Sequence, residues 1–242
     1  MSESRNSDGT YHSQKVYNFT SKFEELKPHK DNWKGDFIHG YYIDEKVCDD
    51  VIEYFNEPDT EKQIGVYGNA DEPDLDKKDS TDLYVHPTNG DPRIRAYLEQ
   101  LAQAVKCYTG DFPALNNQSP WHIDTLFNLQ HYKPGGGFKV WHHERDAYAV
   151  QNRMLVFMTF LNTVTDKGGT EFKYQKRIVN AEKGLTVFWP TDYTHVHRGV
   201  VSPTQDKYIA TGWYHFRGPF EFQDENGEKR IFDGRNIRWV QK

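Results

Sequence analysis

The alternation of apolar and polar positions changes along the chain and divides it into parts of different character. The first 30 residues are polar and show no sustained periodicity, which is typical of a flexible tail. Residues 37–43 are rich in aromatic and β-branched side chains and predict a strand. From about residue 120 onwards, short apolar runs alternate with turn signals, and this pattern predicts a β-rich second half.

Two amphipathic helices are predicted between the tail and the β-rich half. Asp44 is a suitable N-cap for the first helix, and apolar residues then recur every three or four positions. The second helix begins at Pro92, with Asp91 as its cap, and extends to about Tyr108. Gly110 is the residue that terminates it. Both apolar stripes are of the ordinary kind that faces a core.

The β-rich half predicts a sandwich or jelly roll. Segments 166–169 and 182–184 each contain glycine after charged residues and are predicted to be hairpin turns. With the two helices packed on the outside of the major sheet, the fold class is α+β and mainly β, in one domain from residue 31 to residue 242. The predicted strands lie at residues 127–132, 153–161, 170–174, 185–189 and 207–216.

Composition excludes several classes of function. The net charge of −6 and the scattered Lys and Arg argue against a nucleic-acid partner, because phosphate contacts need clustered cations. No run is long and apolar enough to cross a membrane, and the first residues lack the apolar core of a signal peptide, so a cytoplasmic location is expected. Cys48 and Cys107 lie in the predicted helices, where buried reduced thiols are expected.

An acidic segment at residues 71–82 lies between the two helices. A solvated connection is the favoured interpretation, because acidic loops usually serve solubility; a lid or substrate-contacting loop is the alternative.

The residues that indicate chemistry begin in the middle of the chain. His142 and Glu144 are two positions apart, and in an extended strand such residues point to the same side. An imidazole and a carboxylate side by side are two of the three ligands of a non-haem Fe(II) facial triad. His143 points the other way, and its partner at the same spacing is Arg145 rather than a carboxylate.

A third ligand is available downstream, where His195 and His197 again share one side of an extended segment. Either could complete two histidines and one carboxylate. Zn(II) is the rival metal, since it binds the same residue types, although the H-E-x-x-H signature of zinc peptidases is absent from the sequence. Lys207 begins a strand ten positions after His197, where a buried cation near the metal would pair with the carboxylate of a small anionic co-substrate.

Residues 132–213 resemble the core of the Fe(II)/2-oxoglutarate-dependent dioxygenases, in the prolyl 4-hydroxylase-like branch. That branch has a Tyr shortly before H-x-D/E, a G-G-x-T-x-F-type hairpin, a distal His followed closely by Gly, a Lys about ten residues on and a Trp six residues beyond it. The corresponding residues are Tyr132, His142-x-Glu144, Gly168-Gly-Thr-Glu-Phe172, His197-Arg-Gly199, Lys207 and Trp213. Glu144 departs from the more usual Asp but keeps a carboxylate.

The resemblance implies a double-stranded β-helix core at about residues 120–220, with Fe(II) bound by His142, Glu144 and His197. It also implies that Lys207 and Tyr132 hold 2-oxoglutarate, with O2 as the second co-substrate and ascorbate in support. Its position in the motif selects His197 over His195.

The implied reaction is hydroxylation of a substrate, with succinate and CO2 released. A prolyl residue in a peptide or protein is the first expectation, and another amino-acid side chain or a small metabolite is the alternative. Arg145 and Trp213 are candidate substrate-lining residues. Two other classes stay open, namely a cupin-type metalloenzyme that does not use 2-oxoglutarate and a non-catalytic jelly-roll binding protein.

Overall fold

The computed structural model describes residues 23–68, 72–218, 220–223, 228–232 and 237–239. Its helices are α1 (Glu45–Asn56) and α2 (Pro92–Asp111), with short 3-10 turns at Pro113–Asn117, Tyr148–Val150 and Tyr193–His195. The strands are β1 (His39–Tyr42), β2 (Gln63–Ile64), β3 (Lys78–Asp79), β4 (Thr81–Val85), β5 (Trp121–His122), β6 (Phe127–Tyr132), β7 (Gly137–Phe138), β8 (Arg153–Phe160), β9 (Thr170–Phe172), β10 (Arg177–Val179), β11 (Leu185–Pro190), β12 (His197–Gly199), β13 (Lys207–Phe216), β14 (Phe220–Gln223), β15 (Lys229–Phe232) and β16 (Ile237–Trp239).

The strands form a major sheet and a minor sheet, as in a jelly roll. The major sheet is antiparallel and has the order β1-β11-β8-β13-β6-β4-β2, with β5 paired to the end of β13. The minor sheet has the order β10-β9-β12. Two smaller groups, β3-β7 and β14-β15-β16, complete the described strands. The mainly β fold class with a jelly-roll core is confirmed.

Both faces of the major sheet are buried, and alternate side chains of one strand enter different cores. Leu155 and Phe157 of β8 pack with α1 and α2 on one face. Val156 and Met158 of the same strand pack with residues of the minor sheet on the other face, among them Phe172. The helices therefore lie on the outer face of the major sheet, as predicted, and the inner face is left to line a site.

The two helices begin as the sequence predicts. The side chains of Asp44 and Asp91 accept hydrogen bonds from the backbone N–H groups of Lys46 and Arg93, each at 2.8 Å. The second helix extends to Asp111, three residues beyond the predicted end. No helix in the described part of the chain combines the length and the apolarity needed to cross a bilayer. Both cysteines are free thiols, with Cys48 buried and Cys107 half-buried.

The predicted hairpin turns at 166–169 and 182–184 are wrong. The first connects β8 to β9 and the second connects β10 to β11, so each carries the chain between the two sheets. Glycine in the left-handed region, at φ 76° for Gly168 and 81° for Gly184, marks a sharp reversal without specifying which strands pair. The hairpin of the minor sheet is β9–β10, and its turn at 173–176 contains no glycine.

The predicted tail lies mostly outside the described residues, which begin at residue 23. The chain is held on β1 before residue 30, because the Lys27 carbonyl accepts from the Tyr42 N–H at 3.0 Å and the His29 N–H donates to the Gly40 carbonyl at 2.8 Å. The domain limits at 31 and 242 stay a prediction.

Gly136 lies where two backbone segments approach each other closely. A Cβ atom there would be 2.8 Å from the Asp79 carbonyl oxygen and 3.0 Å from that of Lys133. We expect Gly136→Ala to lower the free energy of unfolding by about 1–3 kcal/mol, since the β3–β7 pair must shift to admit a methyl group. The matched change, Gly110→Ala in α2, meets no atom within 4 Å and should be neutral or stabilising. Urea denaturation of both variants tests this, and equal stabilities would contradict it.

Candidate metal and co-substrate site

A cavity of about 730 Å³ opens on the inner face of the major sheet. One face of β13 forms much of its floor, because every second residue of a strand points the same way. These floor residues are Lys207, Ile209, Thr211, Trp213 and His215. From the first to the last, the floor is about 26 Å long at a rise of about 3.3 Å per residue.

Backbone pairing brings the three candidate ligands together. His142 and His197 form an isolated antiparallel bridge, with N–H to carbonyl distances of 3.0 and 2.9 Å in the two directions. The Glu144 N–H donates to the Thr191 carbonyl at 3.1 Å, which ties the next extended position to the chain after β11. A segment that precedes β8 and a strand that follows β11 are thereby fixed side by side.

The side chains of His142, Glu144 and His197 converge on one point of the cavity. Their ligand atoms all lie within 4.8 Å of one another. Glu144 Oε1 is 3.5 Å from His142 Nε2 and 3.3 Å from His197 Nε2. Two imidazole nitrogens and one carboxylate oxygen in this arrangement can hold a divalent metal on one side and leave the other side open to the cavity.

Hydrogen bonds at the opposite ring nitrogens orient both imidazoles. His142 Nδ1 donates to the Val140 carbonyl at 3.0 Å, and His197 Nδ1 donates to the His195 carbonyl at 2.8 Å. The Nε2 atoms therefore carry the lone pairs that face the centre. Burial lowers the pKa of His197, which favours the neutral, metal-binding ring. Although burial opposes ionisation of Glu144, the two neighbouring imidazoles hold the pKa of Glu144 well below its usual range.

His195 is buried but lies apart from this centre. Its Nε2 is 2.9 Å from the Asp36 carbonyl oxygen and its Nδ1 is 2.9 Å from the Thr194 hydroxyl. His143 lines the cavity and is not part of the converging group. Arg145, a candidate substrate residue, pairs with Asp192 and is not among the lining residues, whereas the second candidate, Trp213, does line the cavity.

Lys207 is a buried cation in the same cavity. Its side chain is only 5% exposed, and its ammonium lies 4.8 Å from the centroid of the Tyr132 ring. It makes no ion pair with any described residue, and burial lowers the pKa of Lys207 to about 8. A buried cation without an anionic partner is costly, so this position suits a ligand that brings its own negative charge.

A buried polar chain that the sequence did not predict lies beside Lys207. The Tyr132 hydroxyl donates to Gln130 Oε1 at 2.7 Å, and Gln130 Nε2 donates to Asp82 Oδ2 at 3.0 Å. Asp82 also pairs with Lys78 at 2.6 Å and accepts from the Ser80 hydroxyl at 2.8 Å. The end of the acidic segment 71–82 is therefore packed against the cavity, and the favoured interpretation of a solvated connection is wrong for Lys78 and Asp82. Lys78 and Asp82 can be buried because each neutralises the other. Hydropathy treats each residue singly as charged, so it did not indicate burial.

The family comparison matches the part of the chain that contains the three candidate ligands, Tyr132 and Lys207. Residues 127–215 match the model described as the 2OG-Fe(II) oxygenase superfamily. No curated protein sequence shows significant similarity to the chain.

Solved structures share the fold at low sequence identity. A viral collagen prolyl hydroxylase from Paramecium bursaria Chlorella virus-1, solved with 2OG, is 16% identical, with a TM-score of 0.56 over 74% of this chain and 96% of the other. A Pseudomonas putida prolyl-4-hydroxylase is 14% identical, with a TM-score of 0.58 over 76% and 94% of the two chains. A Trichoplax adhaerens prolyl hydroxylase, solved with a hypoxia-inducible-factor peptide fragment, is 12% identical, with a TM-score of 0.58 over 74% and 84%.

The residues present fit the groups that this superfamily implies, Fe(II) and 2-oxoglutarate. Two imidazoles with inward lone pairs and one ionised carboxylate are a typical donor set for non-haem Fe(II). Lys207 supplies a buried charge, with no ion-pair partner in the part of the chain that the structure describes, for a carboxylate in the same cavity. The family match over residues 127–215, the jelly-roll fold shared with the solved prolyl hydroxylases and the residues of this site therefore agree with one another, and the chain is similar in this core to the 2OG-Fe(II) oxygenase superfamily.

Proposed function

We propose that this protein hydroxylates a prolyl residue in a peptide or protein, using Fe(II), 2-oxoglutarate and O2 and releasing succinate and CO2. The observation that carries the proposal is that the His142–Glu144–His197 group and the unpaired Lys207 share one cavity. A protein that bound only a metal would not need a buried cation without a partner in the protein. A protein that also binds an anionic co-substrate beside the metal needs such a cation to pair with it.

In this proposal His142, Glu144 and His197 hold the metal on one side. Bound iron and 2-oxoglutarate would supply the oxidising power that replaces a substrate C–H bond by C–OH. The carbonyls of residues 140 and 195 hold both imidazoles with Nε2 directed inward. The side of the triad that faces the cavity stays open for co-substrate and dioxygen. Ascorbate would act as a supporting reductant from solution.

Lys207 would bind the distal carboxylate of 2-oxoglutarate at one end of the cavity. Tyr132 packs its ring against the ammonium and limits the access of water, which strengthens a charge pair formed there. The hydroxyl hydrogen of Tyr132 is used by Gln130. For a hydrogen bond from Tyr132 to the same carboxylate, the hydroxyl would have to turn away from Gln130, so that part of its role is a prediction for the loaded enzyme.

The substrate would occupy the end of the cavity remote from Lys207. Asn128, Thr211, Arg153 and His215 line this end, and they offer donors and acceptors that suit the peptide backbone. Support for a peptide comes from the similar Trichoplax enzyme, which was solved with a peptide fragment. Another amino-acid side chain or a small metabolite remains the alternative, because one fold hosts many substrates.

Succinate formation with defined peptides tests this function. Wild-type protein with Fe(II), 2-oxoglutarate, ascorbate and air should form succinate faster when a proline-containing peptide is added, and the peptide should gain one oxygen atom by mass spectrometry. Glu144→Ala is the matched control and should form none. Peptides in which proline is replaced by alanine should be inactive. Equal stimulation by both peptide sets would show that proline is not the residue hydroxylated. Absence of succinate under every condition would contradict the proposed dioxygenase activity.

A further inference from the structure

The carboxylate of Glu144 has two oxygens in different surroundings. Oε1 faces the two histidine Nε2 atoms, as described above. Oε2 accepts a hydrogen bond of 2.9 Å from the indole N–H of Trp213. One oxygen is thus directed at the metal position and the other is directed away from it, towards the floor of β13.

Arg153 contacts both Trp213 and Glu144. Its guanidinium stacks on the Trp213 ring, with the central carbon 3.7 Å from the ring centroid. The same guanidinium donates from Nη1 to the backbone carbonyl of Glu144 at 3.0 Å and lies 3.7 Å from Oε2. Glu144 is therefore fixed at its main chain by Arg153 and at its outer oxygen by Trp213, and the two fixing groups support each other.

The number of oxygens that a carboxylate gives to a metal matters at such a site. A carboxylate can bind through one oxygen or through both. A second oxygen would occupy one of the positions that 2-oxoglutarate and dioxygen need on the open side. The hydrogen bond from Trp213 occupies a lone pair of Oε2 and holds this oxygen at the indole, so binding through Oε1 alone is favoured.

We propose that Trp213, supported by Arg153, is a positioning residue that holds Glu144 as a one-oxygen metal ligand. Glutamate is one methylene longer than aspartate, so its carboxylate can take more positions. The hydrogen bond from Trp213 fixes one of them. This inference rests on the proposed metal site. It gives Trp213 a task different from the substrate contact that the sequence predicted, and it explains why a glutamate is accommodated at this position.

Packing alone would make a different prediction for Trp213. If the Trp213 ring only filled the cavity floor, its replacement by phenylalanine would lower the stability modestly. The metal affinity would then change no more than it does when another tryptophan of the cavity is replaced by phenylalanine. Trp189 provides the comparison, since it also lines the cavity and packs its ring 5.0 Å from His197. Its indole N–H has no hydrogen-bond partner among the described residues. Trp189→Phe therefore removes the same atoms without removing a hydrogen bond.

Co(II) binding to the metal-free, full-length protein without 2-oxoglutarate tests the proposal without relying on activity. We expect Trp213→Phe to weaken Co(II) affinity by about 10- to 100-fold, the usual effect of losing a group that orients a metal ligand. Trp189→Phe should change it by less than about threefold. The visible d–d bands of Co(II) should change in Trp213→Phe and not in Trp189→Phe, because a carboxylate released from the indole would give the metal a different set of oxygen ligands.

A double-mutant cycle with Glu144→Asp separates positioning from packing. Aspartate is one methylene shorter, so we expect it to lose the contact with the indole when it binds metal. Glu144→Asp and Trp213→Phe should then lose overlapping contributions, and their combined effect should be clearly less than the product of the two. Independent effects, or a Trp213→Phe loss no larger than that of Trp189→Phe, would overturn the positioning role while leaving the metal site intact. Wild-type protein that fails to bind Co(II) would instead overturn the metal site on which the proposal rests.

Discussion

His197→Ala is expected to abolish the charge-transfer absorption that forms when Fe(II) and 2-oxoglutarate are added to the protein without oxygen. The reason is that His197 Nε2 is one of three inward ligand atoms, and two remaining ligands bind a divalent metal far more weakly. Its removal also leaves the Glu144 carboxylate with one neighbouring imidazole instead of two. Anaerobic titration followed by visible absorption measures this directly.

His195→Ala is the control for that experiment, since both residues are buried histidines two positions apart. The His195 ring bonds to the Asp36 carbonyl and is not among the residues that line the cavity. The backbone carbonyl of residue 195, which orients His197, is retained in the alanine variant. The band should therefore survive, although the protein will be less stable. Survival in His197→Ala, or loss in a folded His195→Ala protein, would show that the ligand assignment is wrong.

The features that could be predicted from sequence are those set by local periodicity. Strands β6 and β13 begin and end where the apolar pattern predicts, and Asp44 and Asp91 cap their helices through their own side chains. The spacing of His142 and Glu144 also has a local consequence, because extended residues two apart share a side. The choice of His197 over His195 as the third ligand could be made only through a family resemblance.

Features that depend on packing between distant segments were missed. Lys78 and Asp82 look like a solvated acidic connection in sequence, because burial of a charge is permitted only by a partner that folding supplies. The contact between Trp213 and Glu144 joins residues 69 positions apart and leaves no periodic signal. Likewise, Gly168 and Gly184 reveal reversals of the chain but not the change of sheet, since the sheet is chosen by cores that form later.

Lys207→Met is expected to weaken 2-oxoglutarate binding by about 30-fold or more, with metal binding retained. Loss of one partner from a desolvated charge pair costs about 2–5 kcal/mol, and the lower limit corresponds to this factor. Methionine keeps the length and apolar stem of lysine, so the Tyr132 ring keeps its packing. Lys173→Met, at an exposed position, is the matched control and should bind normally. Titration of 2-oxoglutarate into the anaerobic Fe(II) protein gives both affinities, and equal values would remove Lys207 from the co-substrate site.

The pH dependence of binding and of stability should run in opposite directions, and both should depend on Lys207. Burial lowers the pKa of Lys207 to about 8 in the folded protein, against an ordinary value of about 10.5. Above pH 8 the empty site loses its charge, so 2-oxoglutarate affinity should fall by up to about tenfold per pH unit.

The effect of Lys207 on stability has the opposite sign. In the unfolded chain Lys207 keeps its proton up to about pH 10.5, so between pH 8 and pH 10.5 the unfolded chain binds more protons than the folded chain. The free energy of unfolding contributed by this group therefore rises across that window. Lys207→Met should flatten both trends, and a wild-type affinity that is constant from pH 7 to pH 9.5 would contradict the assignment.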